Sequence, residues 1–351
     1  GSYNLVLVKE DSKGEQLNSK ATFTVNNETK DITGRLTIAS NKAINENNVK
    51  TPDTYEIRET VAPDGYCKFD GKIIVTVNKK LDGNTYKVDS IKYKILNAKN
   101  EDITSTKADS VAVELGTDGN LYVKVKNYQF DLALRKYITK VNGTELNGGN
   151  SRVPNIDKST LTTGTTATYK HKKDPVVVTT GTTVTYKLTV YNEGQLEGRA
   201  TKLVDQLPTG LKLKTTGTVT STKGNSYSVS YDETTNKATF TTNGTKNLAA
   251  YNGNTLDSDT IEIECTVTAT ANTKNAIILT NVAWISEEYN AVNKTTITNQ
   301  KGSDRDSEPS TVPSVNKDNM SDYTGNNNKS DLSDSSYYYK GQQDDDDFEK
   351  L

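Results

Sequence analysis

The chain has 351 residues, with 43 Lys+Arg against 45 Asp+Glu and a formal net charge of −2, which leaves room for two or three domains. No basic patch points to nucleic acid, and no run approaches the roughly 18 consecutive apolar residues of a membrane-spanning helix. The two cysteines, Cys67 and Cys265, lie about 200 residues apart, too far to suggest a local disulfide framework.

Thr and Asn are abundant, Val and Tyr are frequent, and short alternating runs bounded by Gly, Asn and Asp recur. This pattern predicts an all-β chain of tandem immunoglobulin-like, Greek-key sandwiches. The opening Gly-Ser reads as a cloning remnant rather than a signal peptide. The first strand follows at "YNLVLVKEDSKGEQL", where alternation puts Tyr3, Leu5, Leu7 and Lys9 on one face.

In "YEIRETVAPDGY", residues 55–66, Tyr55, Ile57, Glu59 and Val61 share the apolar face, so a carboxyl group is expected inside. Burying it is costly unless it is protonated, paired or hydrogen-bonded. Cys67, just beyond, reads as a lone thiol near a strand end rather than a nucleophile, because the only histidine, His171, is far away in sequence. Further on, "SIKYKILNAKN" aligns Ile91, Tyr93, Ile95 and Asn97, and "LYVKVKNYQ" aligns Leu121, Val123, Val125 and Asn127. Either asparagine has the parity to face the core. Asn127 is preferred, because its strand runs directly into the next module.

At residue 130 the opening pattern returns as "FDLALRKYITKVNGTEL", with Phe130, Leu132, Leu134, Lys136 and Ile138 on one face, an internal repeat of the first strand. "TKLVDQLPTGL" then puts Asp205 between Leu203 and Leu207, and "AIILTNVAWI" puts Asn281 with Ile277, Leu279, Ala283 and Ile285. One lysine on an apolar face would ordinarily snorkel to water. Here each repeat supplies a lysine, an acid and an asparagine, all facing inward. A desolvated lysine becomes a neutral, nucleophilic amine, and a buried carboxyl can shuttle protons, so the set can join lysine to asparagine with loss of ammonia.

"YEIRETVAPDGY" matches, at every fixed position, the E-box of Gram-positive pilin and surface-adhesin modules, Y-x-[LI]-x-E-T-x-A-P-x-G-Y, and "LVLVKED" resembles the lysine strand that opens them. Residues 1–128 thus resemble a collagen-adhesin B-type (SpaA-like pilin) domain, which implies a Lys9–Asn127 isopeptide bond with Glu59 as catalytic acid. Residues 129–298 resemble the fimbrial isopeptide-forming type through "VTYKLTVYNEG", "DQLPTGL" and "LTNVA", which implies Lys136, Asp205 and Asn281. The resemblance implies a stalk or backbone segment of a Gram-positive surface adhesin or pilus, extracellular at the cell wall. Its acids act once, during maturation, and turn over no external substrate. The expected partners are neighbouring modules of the same chain, with a host matrix protein or glycan as the alternative, held by loops such as 145–175 or 243–258. A glycosidase would need a carboxylate pair, and each domain offers one inward acid.

Residues 299–351 carry 6 Lys/Arg against 12 Asp/Glu, leaving +4 for the rest, and read as a largely irregular acidic linker towards a further module. No cofactor is expected. Calcium is a lesser option, at Asp304, Asp306 and Glu308 or the run Asp344 to Asp347, which otherwise reads as solvated. Tyr337 to Tyr339 are expected to dock on a neighbouring domain. "LPTG" at 207–210 lacks the fifth residue of a sortase signal, and His171, without a second histidine, is expected in a loop or at a strand edge.

Overall fold

The computed structural model describes residues 1–163, 166–270, 276–298, 314–325, 328–334 and 345–351. They form two compact units, Gly1–Tyr128 and Gln129–Leu351, in each of which nearly all the regular structure is β-strand.

Unit 1 contains strands β1 (Ser2–Glu10), β2 (Lys20–Val25), β3 (Glu28–Thr33), β4 (Arg35–Ala43), β5 (Asp53–Val61), β6 (Lys72–Asp82), β7 (Thr85–Leu96), β8 (Val111–Leu115) and β9 (Leu121–Lys126). They follow the order β7-β6-β5-β2-β3-β4-β1-β9-β8, but β3 and β4 meet at a single pair, Thr33 with Arg35, so the path folds there into two layers. Leu5, Leu7, Phe23, Ile57, Val75 and Val123 fill the space between them. All pairings are antiparallel except β1 with β9, which run parallel with Lys9 opposite Val125. First and last strands are therefore hydrogen-bonded neighbours.

The expected inward face of β5 holds for Tyr55, Ile57 and Glu59, whereas Val61 is exposed. Thr22 pairs with Val61 but Phe23 with Glu59, so an irregularity at Thr60 interrupts the alternation and turns Val61 outward.

Unit 2 contains β10 (Leu132–Val141), β11 (Thr144–Glu145), β12 (Asn155–Asp157), β13 (Thr168–Lys170), β14 (Thr183–Asn192), β15 (Gly198–Gln206), β16 (Leu211–Leu213), β17 (Thr218–Thr220), β18 (Ser226–Asp232), β19 (Lys237–Thr242), β20 (Ser258–Val267), β21 (Thr280–Asn290), β22 (Thr295–Ile297) and β23 (Asp346–Lys350). One sheet runs β11-β10-β14-β20-β16; the other runs β17-β18-β19-β15-β21-β22, with β23 also paired to β21. Ile277, expected on the inner face of β21, precedes the strand and is exposed.

Both sheets of unit 2 are also covered on their outer faces. The β12–β13 hairpin and Leu161 lie over Ala133 and Tyr191, and Tyr251, from a loop expected to be free for a ligand, packs into the same cluster. On the other sheet, Val315, Met320, Tyr323 and Leu332 cover Val204, Val282 and Trp284.

The end of the chain thus differs from the expected linker. The segment is poor in apolar residues, but those it has suffice to cover a strand that is apolar on both faces, as "NVAWI" already is. Residues 345–351 are buried, and β23 pairs with β21 with Asn281 opposite Glu349 and Ala283 opposite Asp347. Asp345, Asp346 and Asp347, expected to be solvated, are 2% exposed or less. Asp304, Asp306, Glu308, Asp344 and Tyr337 to Tyr339 lie outside the described residues. Among the described residues no group of three or more His, Cys, Asp or Glu could hold a metal ion.

Candidate functional site

In unit 1 the structure brings Lys9, Glu59 and Asn127 together. Lys9 leaves β1 on its inner face, Glu59 comes from β5 in the opposite layer, and Asn127 directly follows β9. Lys9 Nζ lies 3.2 Å from Glu59 Oε2, with both side chains 0% exposed. Nζ also donates to the Val125 carbonyl at 3.0 Å, and Phe23 flanks the amine, its ring centroid 5.5 Å away. Burial pulls the Lys9 pKa below its ordinary value, against the opposing pull of the Glu59 carboxylate.

Asn127 Nδ2 donates to Glu59 Oε1 at 2.7 Å and to the Cys67 carbonyl at 2.8 Å, while its Oδ1 makes no hydrogen bond. The Phe69 N–H donates to Glu59 Oε1 at 2.5 Å. These backbone partners were not visible as site residues in the sequence. The "APDGY" turn returns the chain past Glu59, and Cys67 N–H bonds the Tyr128 carbonyl at 2.8 Å, so the main chain of Cys67 matters here rather than its thiol. Asn97 lies elsewhere. It follows β7, and its Oδ1 accepts the N–H groups of Lys99 and Glu101, both at 2.9 Å, capping a turn.

Unit 2 repeats the arrangement with strands from its two sheets. Lys136 on β10 reaches across to Asp205 on β15 at 2.5 Å, both side chains 0% exposed, and the Tyr186 ring centroid lies 4.2 Å from Nζ. Asn281, on β21 beside β15, donates through Nδ2 to Asp205 Oδ1, and its Oδ1 also has no hydrogen-bond donor. Each site therefore holds a buried amine and a carboxamide on two oxygens of one carboxyl group. Such a carboxyl can take a proton from lysine and deliver it to the amide nitrogen, but being sealed it cannot meet a large external substrate.

Beside the second site lies a buried charged cluster that sequence reasoning missed. Lys173 Nζ donates to the carbonyls of Lys136 at 2.6 Å and Phe348 at 2.7 Å and to Asp347 Oδ2 at 3.0 Å. Arg152 grips Glu349 through Nε at 2.7 Å and Nη2 at 2.9 Å. Burial lowers the Lys173 pKa and raises that of Asp347. His171 lies outside any strand, directly after β13, but is fully enclosed; burial and the nearby Lys173 and Arg135 charges hold its pKa well below the ordinary value, so the ring is neutral. The signal for this cluster was the period-two spacing of Asp347 and Glu349 around Phe348.

Residues 3–94 match the family model of the SpaA prealbumin-like fold domain, a span that includes Lys9 and Glu59 and stops before Asn127. A search of curated proteins finds no match. Among solved structures, the chain is similar to BcpA, the major pilin subunit of Bacillus cereus, at 13% identity over 84% of this chain and 66% of that one, with a TM-score of 0.37. It is also similar to the Corynebacterium diphtheriae major pilin SpaA, at 11% identity over 80% of this chain and 62% of that one, with a TM-score of 0.26. For the Streptococcus pneumoniae pilus protein RrgB the values are 14% identity, 81% and 47% coverage, and a TM-score of 0.30. The chain thus spans slightly under two thirds of BcpA and about half of RrgB. The SpaA prealbumin-like fold domain model thus matches residues 3–94 of the compact unit Gly1–Tyr128.

Proposed function

We propose that each unit closes its own Lys–Asn isopeptide bond, Lys9 to Asn127 and Lys136 to Asn281, and that the chain is a load-bearing segment of a Gram-positive surface adhesin or pilus, displayed outside the cell. The observation that carries this reading is the duplicated, fully buried grouping of lysine, carboxyl and asparagine, with the carboxyl touching both side chains.

The chemistry follows from the contacts. In a site of low dielectric the ion pair is costly, and proton transfer from Nζ to the carboxylate yields a neutral amine and a neutral acid. The amine lone pair attacks the asparagine Cγ while the acid protonates the carboxamide. Nζ then gives up a second proton through the carboxylate, the C–Nδ2 bond breaks, and ammonia leaves. One amide replaces another, the carboxyl group is regenerated, and no oxidant or cofactor enters the balance. Packing supplies the near-attack placement that makes the step fast without turnover.

Intact mass spectrometry tests the reading. The folded protein is expected to be lighter than its sequence mass by two molecules of ammonia, and Glu59→Ala or Asp205→Ala by one. A full sequence mass in the parent protein would remove both assignments.

A further inference from the structure

The two sites differ in how the lysine strand and the asparagine strand are held together. In unit 1 they are direct neighbours, because β1 pairs with β9 and the Asn127 N–H bonds the Glu10 carbonyl at 2.9 Å. In unit 2 they belong to different sheets: β10 pairs with β14 and β11, and β21 with β15, β22 and β23. What spans them is β23. Its main chain pairs with residues 280–284 of β21, while two of its side chains reach β10, where Asp347 Oδ2 accepts the Lys136 N–H at 2.8 Å and Glu349 Oε2 accepts the Ile138 N–H at 2.7 Å. Lys173 completes the bridge by donating to the Lys136 carbonyl and to Asp347, so both the N–H and the C=O of Lys136 are held by this assembly.

We propose that β23 is the positioning clamp of the second cross-link, with Asp347 and Glu349 fixing the separation of Lys136 from Asn281, so that the bond closes only when residues 345–351 are docked. The inference rests on the reading that Lys136 and Asn281 react. The clamp cannot settle partway, because its carboxylates enter a buried site where Lys173 and Arg152 are their counter-charges, and a carboxylate left there without a cation is strongly disfavoured. Lys136, Asp205 and Asn281 all precede β23 in the chain, so during synthesis the reacting groups are complete before the clamp exists. The second bond therefore follows completion of the unit, whereas the first requires only residues up to Asn127.

The test uses the full chain and follows ammonia loss by intact mass over time after refolding. Trp284, the only tryptophan, sits on β21 opposite Asp346 and reports by its emission whether unit 2 is folded. The double variant Asp347→Ala/Glu349→Ala, with native Trp284 emission, is expected to lose the first ammonia normally and the second at least tenfold more slowly. Asp347→Asn, which keeps an oxygen to accept the Lys136 N–H, should recover most of the parental rate. A double variant that completes the second loss at the parental rate overturns the proposal. If the double variant does not fold, Arg152→Met decides, since releasing one anchor of Glu349 should slow the second loss severalfold and an unchanged rate counts against the clamp. A parent protein that never loses the second ammonia defeats the underlying reaction instead.

Discussion

Four of the buried lysines among the described residues fall into two chemical kinds, separated by their partners. Lys9 and Lys136 each face one carboxyl that also touches an asparagine, whereas Lys173 donates to two carbonyls and a carboxylate, the surroundings of a structural ammonium. Lys79 is another of the structural kind, paired with Asp53 at 2.9 Å. Inward parity in the sequence located Lys9, Glu59, Asn127, Lys136, Asp205 and Asn281, because alternation in a strand is local information. It could not separate Asn97 from Asn127, which depends on how distant strands pair. Lys350 allows a test on one residue: burial pushes its pKa down to about 8, with Asp322 opposing and Lys329 reinforcing the shift. An unfolded lysine titrates near 10.4, so between about pH 8 and 10 the unfolded chain binds the extra proton and stability rises with pH. Thermal melts followed by Trp284 emission should show this alkaline rise in Tm. Lys350→Met should flatten it, and an equal rise in both proteins would discount the shift.

Strand pairing determines what each bond can do. Lys9 and Asn127 lie at the same end of the parallel pair β1 and β9, so a bond there turns residues 9–127 into a covalent ring. On the chain-entropy model a loop of this size restrains the unfolded state by about 5 kcal/mol. The ring also gives a direct prediction. The turn between β6 and β7 has Gly83 in the left-handed region, with φ of 61° and open space around it, so it is the place to insert a protease site. After cleavage there, the two pieces should stay joined on a reducing, denaturing gel, and should separate in Glu59→Ala. Separation in the parent would show that no ring exists. The strands that carry the site residues were legible from alternation, with Val61, Ile277 and β23 as exceptions. Val61 faces outward because an irregularity at Thr60 resets the alternation, and β23 falls within the expected acidic linker because a strand carrying Asp346, Asp347 and Glu349 looks solvated until its buried cations, Lys173 and Arg152, are known.

Across the whole chain, the two bonds would leave different stretches under load. Tension applied at the two termini would enter β1, cross from Lys9 to Asn127 through the proposed bond, pass through residues 128–136, and cross again from Lys136 to Asn281. Residues between each bonded pair would carry none of it, so neither sandwich core could be drawn out. Beyond Asn281 the path returns to the main chain through β21, β22 and the segment that ends in β23, and only noncovalent contacts resist there: the β21 ladder, the Met320 and Leu332 layer, and the buried Lys173 and Arg152 pairs. Pulling β23 from β21 breaks its pairs one after another from the chain end, whereas the proposed bonds would keep the sandwich cores locked. A force-extension measurement with handles at both termini should therefore show a single release from roughly 70 residues after Asn281, on the order of 200 Å at about 3.4 Å per residue, and none from unit 1. Asp205→Ala should add the release of residues 136–281, and Glu59→Ala that of residues 9–127. Release of the full contour length from the parent protein would mean that the load is borne by hydrogen bonds alone.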